Sequence, residues 1–343
     1  MAKFYSSNRL HHLTKLLSLI AVICVASGCS DPALSLMDDY TKRLGRTLAL
    51  EIEEPKPLDL PPLPSITTTR ADIPDSSISL VELVATRACG LDVLLGERNS
   101  SLGKVMSPSQ RLKYELEFLK QVQPCLTDPA ITPDLQQKLS GLALEKTTQI
   151  DKHWQNFLQQ DETLRQQLHP SRTLSAPNSV AGVVETMQAL HSLLGLKQHI
   201  LEQNWQKASQ INPELALEAL YKANTLSQLQ QSLRFSQHWL QNLNQQLEQV
   251  DVNLICPAAK HSDKADILHT ILLQYFIAKV QVYFAQTDSA YQQLYPLLQQ
   301  LYQGTTLAQS IQQRFEAPNT ALKAELKRHV IWWKAIQQQC PKS

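Results

Sequence analysis

Leu215, Ala219, Leu226, Leu229, Leu233, Leu240, Leu243 and Leu247 follow one another at steps of three, four or seven residues. That spacing lays a single apolar stripe along a helix of 3.6 residues per turn. It cannot serve a strand, whose side chains alternate from face to face with a period of two. The same period returns in Leu34, Met37, Thr41, Leu44 and Leu48, and again in Leu80, Leu83, Val84, Leu91, Leu94 and Leu95. It predicts a most apolar helix over 263–284 and a last one over 319–339. Only nine glycines interrupt 343 residues, and no alternating β-branched run offers a strand. The expected fold is therefore all-α, an antiparallel bundle of long helices.

Local punctuation agrees with that reading. Asp31-Pro32, Ser107-Pro108, Thr132-Pro133 and Asn212-Pro213 each pair a capping side chain with a proline at the first helical position. Ser79 with Glu82 has capping-box spacing, as has Ser107 with Gln110. Between the first helix and the rest stands EEPKPLDLPPLPS, residues 53–65, whose prolines favour an extended polyproline form. It reads as a strap over the main domain or as a spacer. Paired glutamines such as Gln230-Gln231 and Gln245-Gln246 sit between the apolar positions, on outer helix faces. The expected organisation is a signal segment over 1–28, a membrane-proximal helix over 29–52, a proline-rich connection over 53–76 and a helical domain over 77–343.

The start of the chain concerns location. Lys3, Arg9 and Lys15 precede a short apolar core and then Val25-Ala26-Ser27-Gly28-Cys29. A basic, then apolar, then small-residue order makes a secretory signal, and its core is too short to span a bilayer. Cys29 directly after Ala-Ser-Gly resembles a bacterial lipobox, which implies that this cysteine is acylated and becomes the new N-terminus. Several acyl chains on one residue give stable anchoring. Ser30 in the next position, by the same resemblance, implies sorting to the outer membrane, where the protein would face the periplasm.

Loss of Lys3, Arg9 and Lys15 leaves 29 basic residues against 31 acidic ones, a net charge of −2. A near-neutral chain of this kind has no electrostatic case for nucleic acid. Four cysteines remain besides Cys24 and Cys29, namely Cys89, Cys125, Cys256 and Cys340. In an oxidising compartment an even number predicts two disulfides, with pairing inside each half preferred among the three connectivities. No two of them have the spacing of a zinc site.

The stretch GERNSSLGKVMSPSQ, residues 96–110, invites chemistry. A phosphate loop needs four residues between its glycines and a Ser or Thr after its lysine. Here six residues separate Gly96 from Gly103, Val105 follows Lys104, and no strand precedes. Ser101-Leu102-Gly103-Lys104 fits the S-x-x-K pattern of acyl-transferring serines, but no K-T-G accompanies it. The expectation is no catalytic residue. His191 with His199, and His261 with His269, lie eight apart and lack the i+3 or i+4 company that bundle metal sites use. No metal and no cofactor are expected. Trp332-Trp333 is expected to place one ring inward and one toward the rim.

RACGLDVLLGERNSSLGKVMSPSQRLKYELEFL, with the earlier DDYTKRLGRTL and PPLP, resembles an uncharacterised family of proteobacterial envelope lipoproteins, a domain of unknown function. The resemblance implies an envelope lipoprotein and supplies no activity. It draws interest to Glu97, Arg98, Asn99, Ser100, Lys104, Gln110 and Arg111 as a polar cluster. Those side chains would either satisfy helix ends or form a docking surface. The function expected is a non-enzymatic interaction or scaffold protein, membrane-bound through its lipid, with an envelope protein as partner. The alternative is a carrier that encloses an apolar ligand or lipid behind Ile271, Leu272, Leu273, Phe276 and Ile277.

Overall fold

The computed structural model describes residues 31–55, 60–74 and 79–340. Cys29, the signal over 1–28 and part of the proline-rich stretch lie outside the described residues. The protein is all-α, and no strand occurs among the described residues.

Helix α1, Pro32–Leu48, starts where the sequence predicts. The Asp31 carboxylate accepts from the backbone N–H groups of Ala33 at 2.9 Å and Leu34 at 3.5 Å, and Pro32 occupies the first turn. Its inward stripe is Ala33, Met37, Tyr40 and Leu44, a small rotation of the expected one: Met37 and Leu44 are buried as expected, and Leu34, Thr41 and Leu48 are half-buried. The rotation brings a tyrosine hydroxyl into the core.

The stretch from Leu80 to Leu95 is one helix by periodicity and two in the structure. α2, Leu80–Ala85, gives way to a tight turn over Thr86–Cys89. Gly90 then adopts φ +77 and lets the chain turn into α3, Leu91–Asn99. α4, Pro108–Cys125, opens on a complete Ser107–Gln110 capping box, and α5 is Pro133–Gln160. Thr132 holds the cap position of α5, but its side chain makes no capping bond. α6, Ala181–Leu201, packs on α7, Pro213–Ala223. The long apolar stripe from Leu215 to Leu247 is also broken, at Asn224 with φ 49, and α8 continues over Thr225–Leu247.

α9, Asp263–Tyr302, outruns its expected end and contains a π-helical stretch over Leu272–Val280. A π-helical turn at Gln312–Glu316 leads into α10, Ala317–Gln339.

Three apolar clusters hold these helices. One joins α3, α4 and α5 at the corner that follows α2. A central one joins α4–α9. The third joins α1, α8, the first half of α9 and α10, with Tyr40, Phe276, Trp239 and Trp333 among its members. Cys89 is bonded to Cys125 in the first region and Cys256 to Cys340 in the third. Trp332 and Trp333 are both buried, so neither ring faces the rim. Trp332 packs edge-on against Trp333 at 4.8 Å and stacks on His329 at 6.3 Å, which takes both indoles into the core.

The described part of the proline-rich connection lies on the body. Arg314 donates to the Pro61 carbonyl and Arg165 to that of Pro64, each at 2.7 Å. Asn156 brackets Ala71, accepting from its N–H at 2.8 Å and donating to its carbonyl at 2.9 Å. Leu63 is buried in the central cluster.

Candidate functional site

Two places bring chemistry-bearing side chains together. The first is the corner built by α2, α3 and α4. Arg98 donates to the Gly103 carbonyl at 2.8 Å. Ser100 Oγ donates to the Glu97 carbonyl at 2.7 Å and accepts from Gly103 N–H at 3.0 Å. A Cβ on Gly103 would run into the Glu97 and Arg98 carbonyls, so this turn closes only with glycine. Gln110 is spent in the α4 capping box. Glu97, Asn99, Ser100, Lys104 and Gln110 are exposed, and Ser101 beside them is exposed too.

Arg111 has a different fate. Its Nε lies 2.8 Å from Oε1 of Glu115, a fully buried carboxylate whose other oxygen accepts from Lys146 Nζ at 2.7 Å. His153 Nε2 approaches the same carboxylate at 3.7 Å. Lys146 is also seated over the rings of Phe118 and Tyr114, at 5.0 and 5.5 Å. Burial pushes the His153 imidazole down to about 4, against the pull of Glu115, and the neighbouring Arg111, Lys146 and Arg98 charges push it the same way. His153 is thus neutral beside an ion pair that locks α4 to α5. The Arg111–Glu115 spacing of four is visible in the sequence. Lys146 and His153 come from another helix and carry no sequence signal of their partner.

Above this lock the corner is greasy. Val81, Val84, Val93, Leu102 and Val105 are all exposed, Leu102 at 81% and Val81 at 80%. The Cys89–Cys125 bond ties the segment that bears them to the end of α4. Apolar side chains gathered on short, cross-linked elements mark a contact surface more often than scattered ones do.

The second place is the α1–α8–α9–α10 region. At its centre Tyr40 O–H lies 2.7 Å from His329 Nε2, and Asn244 Oδ1 lies 2.8 Å from His329 Nδ1. Asn244 Nδ2 donates to the Glu325 carbonyl at 2.9 Å and to its carboxylate at 2.8 Å. Asn244 Oδ1 must then accept, so His329 carries its proton on Nδ1. Nε2, with a single lone pair, is left to accept from Tyr40 O–H, whose oxygen in turn accepts from Trp333 Nε1–H at 3.1 Å. Burial holds the His329 imidazole at about 3, far below its usual range, and drives the Tyr40 hydroxyl well up. The chain of neutral bonds ends at the surface, where Arg328 pairs with Glu325 and Glu248 at 2.9 and 2.8 Å.

Outside this network, α9 and α10 leave a groove of about 560 Å³. Phe276, Phe284, Leu322 and Leu326 form its apolar wall, and Lys323, Lys327 and Lys334 stand along its α10 edge. Ile271, Leu272 and Phe276 are buried in the core cluster, whereas Leu273 and Ile277 face outward. The groove therefore opens at the surface of the bundle. Neither Ser101 nor Lys104 lines it.

The histidine pairs stay apart from both places. His199 meets Glu202 at 3.3 Å and His261 meets Asp266 at 3.0 Å, while His191 and His269 are exposed. Among the described residues no three His, Cys, Asp or Glu side chains are grouped to hold a metal ion. Tyr40, His329, Asn244, Glu115 and the three α10 lysines of the groove carry no signal of these roles in the sequence. Each is an ordinary helical residue until its neighbours across the fold are known.

Compared with known proteins, residues 37–343 match a family described as Protein of unknown function (DUF3080). No curated protein and no solved structure matches the chain.

Proposed function

The chain belongs to the DUF3080 family of proteins of unknown function, and from that premise we propose that it is a lipid-anchored, non-enzymatic interaction protein of the bacterial envelope. In this reading Cys29 is acylated, the chain is moored to the periplasmic face of the outer membrane, and the corner bearing Leu102 docks a protein partner. The observation that carries the reading is the exposed apolar corner, Val81, Val84, Val93, Leu102 and Val105, on a segment braced by a disulfide and a glycine-closed turn. A rigid apolar surface loses little conformational entropy on binding, which is what a docking site needs. Glu97 and Lys104 at its edge supply polar contacts of the kind that rim such interfaces.

Two further features support it. α1 begins at Pro32, three residues after Cys29, and is joined to the body through Tyr40, so an anchor at Cys29 would be close in the chain to a helix fixed on the body. Two disulfides suit an oxidising compartment. The surface groove favours a second reading, a binder of an apolar ligand or lipid.

The test is site-specific photo-crosslinking in cells from position 102 or 105. A discrete protein adduct is expected at both, and it disappears when Val81→Glu and Val93→Glu are introduced together. Adducts with bulk lipid alone, or an adduct indifferent to those changes, would sink the docking surface. Intact mass of the membrane-extracted protein reads the acyl groups on Cys29, and a Cys29→Ser chain is expected in the soluble fraction.

A further inference from the structure

α9 is apolar enough over 18 residues to cross a membrane, yet only 39% of that stretch is buried. Its buried side supplies Leu272, Phe276 and Phe284 to the core. Its outer side presents Leu273, Ile277 and Val282, and the neighbouring α10 adds Val330 and Ile331, the last 66% exposed. Val330 and Ile331 line the 560 Å³ groove, to which α9 contributes Phe276 and Phe284. Water meets an apolar face on α9 and α10, and removing such a surface from water is favourable.

Charge beside this face is mostly positive, three lysines lining the groove against one carboxylate, Asp288. Of the three lysines on the α10 edge, Lys323 is paired with Asp288 at 2.8 Å. Lys327 and Lys334 have no ion-pair partner among the described residues. Lys279, on α9, leans over the Tyr275 ring at 4.7 Å and stays 4.0 Å from Asp39. An apolar strip edged by unpaired ammonium groups complements an amphiphile with a negative head.

The end of the described chain says which amphiphile. Asp31 accepts from Leu174 N–H at 2.8 Å, and its charge reaches Tyr283, the residue before Phe284 of the groove wall. α1 then runs antiparallel along α9, with Asp39 beside Lys279 and Arg43 over Tyr275 at 3.8 Å. Cys29 lies two residues before Asp31, within about 7 Å of it along the chain. The groove end at Asp288 and Lys323 is thus on the same stretch of α9 as the point where the chain leaves for its anchor.

We infer that the α9–α10 face lies on the bilayer to which the chain is moored, with an anionic phospholipid of that bilayer seated in the groove against Lys327 and Lys334. This rests on the anchored reading above, since the position of Cys29 is what selects a bilayer over a free amphiphile. It turns the molecule so that its most apolar helix is covered by lipid.

The surface can be tested without the anchor. The mature chain carrying Cys29→Ser, disulfides intact, is sedimented with vesicles of phosphatidylcholine alone or with phosphatidylglycerol added. Binding is expected only to the anionic vesicles, and Lys327→Gln with Lys334→Gln should weaken it about thirtyfold, at roughly fivefold per lysine near the surface. A polarity-sensitive fluorophore on Ile331→Cys should shift to the blue and be quenched by brominated lipid. The same label on Leu144→Cys, equally exposed but on α5, should do neither. No binding, equal binding to both vesicles, or equal quenching at both positions overturns the inference. So does binding of monomeric short-chain phosphatidylglycerol with none to vesicles. Failure of acylation would appear separately, in the mass of the membrane-extracted protein, and leaves the vesicle result standing.

Discussion

Around Glu115, α4 and α5 are joined by charge: one buried carboxylate is shared between Arg111 and Lys146, with neutral His153 alongside. Around His329, α1, α8 and α10 are joined without charge, by a directional chain from Tyr40 and Trp333 through the imidazole to Asn244. Both regions carry a disulfide, and both bury a histidine held below its usual range. The difference lies in what each lock tolerates. An ion pair accepts a spread of geometries, so it can hold α4 to α5 through small shifts of either helix. A neutral chain needs each donor to face its acceptor, and it forms where three long helices already fix the register. The corner is then free to expose apolar side chains, while α1 is held in one orientation to the body.

The comparison can be broken most forcefully at the disulfides. Chain entropy makes the 84-residue separation of Cys256 and Cys340 worth about 5 kcal/mol and the 36-residue separation of Cys89 and Cys125 about 4. Replacing each pair with alanine and measuring denaturant unfolding should show that order. The reverse order would mean that strain or residual structure, and not loop closure, governs the two ends.

His329→Ala should follow, with a loss of about 4 kcal/mol, because Tyr40 O–H and Asn244 Oδ1 are left buried without their imidazole partner. His329→Gln, which can restore one donor and one acceptor, should recover part of it. Lys146→Met should cost about 3 kcal/mol, leaving Glu115 with a single cation. Equal losses from His329→Ala and His329→Gln would show that volume, not hydrogen bonding, is what the neutral lock needs.

Acid should strain both locks. His329 and His153 are neutral when folded, with values of about 3 and about 4, and each takes up a proton near 6.5 when unfolded. The unfolded chain therefore binds more protons below that point. Their contribution is complete above about pH 6.5 and falls by about 1.4 kcal/mol per pH unit for each histidine as the pH drops toward the folded values. Unfolding free energy measured from pH 7 to 4 should show this slope, and His329→Gln and His153→Gln should each remove one histidine's share.

The smallest effect on stability belongs to the corner surface. Leu102→Glu and Val105→Glu should change it by no more than about 0.5 kcal/mol, since both side chains are exposed. Loss of partner crosslinking with unchanged unfolding would separate docking from folding. Unfolding by either substitution would place these residues in the core instead.

Much of the fold was legible because helices announce themselves locally. Periodicity, caps and the dearth of glycine are properties of neighbours in the chain, so the all-α class and most helix starts follow from the residues alone. Where a helix breaks was harder to read. Gly90 and Asn224 interrupt stripes whose apolar spacing continues unbroken, because the spacing records which face is buried and not whether the backbone runs on. The polar cluster over 97–111 was visible as a group, yet it divides: Arg98 and Ser100 close a turn, Gln110 caps a helix, and Arg111 goes down to Glu115.

By itself the sequence determined an all-α chain, the places where most of its helices begin, and four cysteines suited to two bridges. Only the tertiary structure decided which cysteines meet, which histidines are buried neutral, and that the most apolar helix keeps an open face beside unpaired lysines. The physical reason is range. Helix formation is settled by contacts three and four residues apart, whereas a buried network or a groove is made by side chains hundreds of residues apart, as Tyr40 and His329 are.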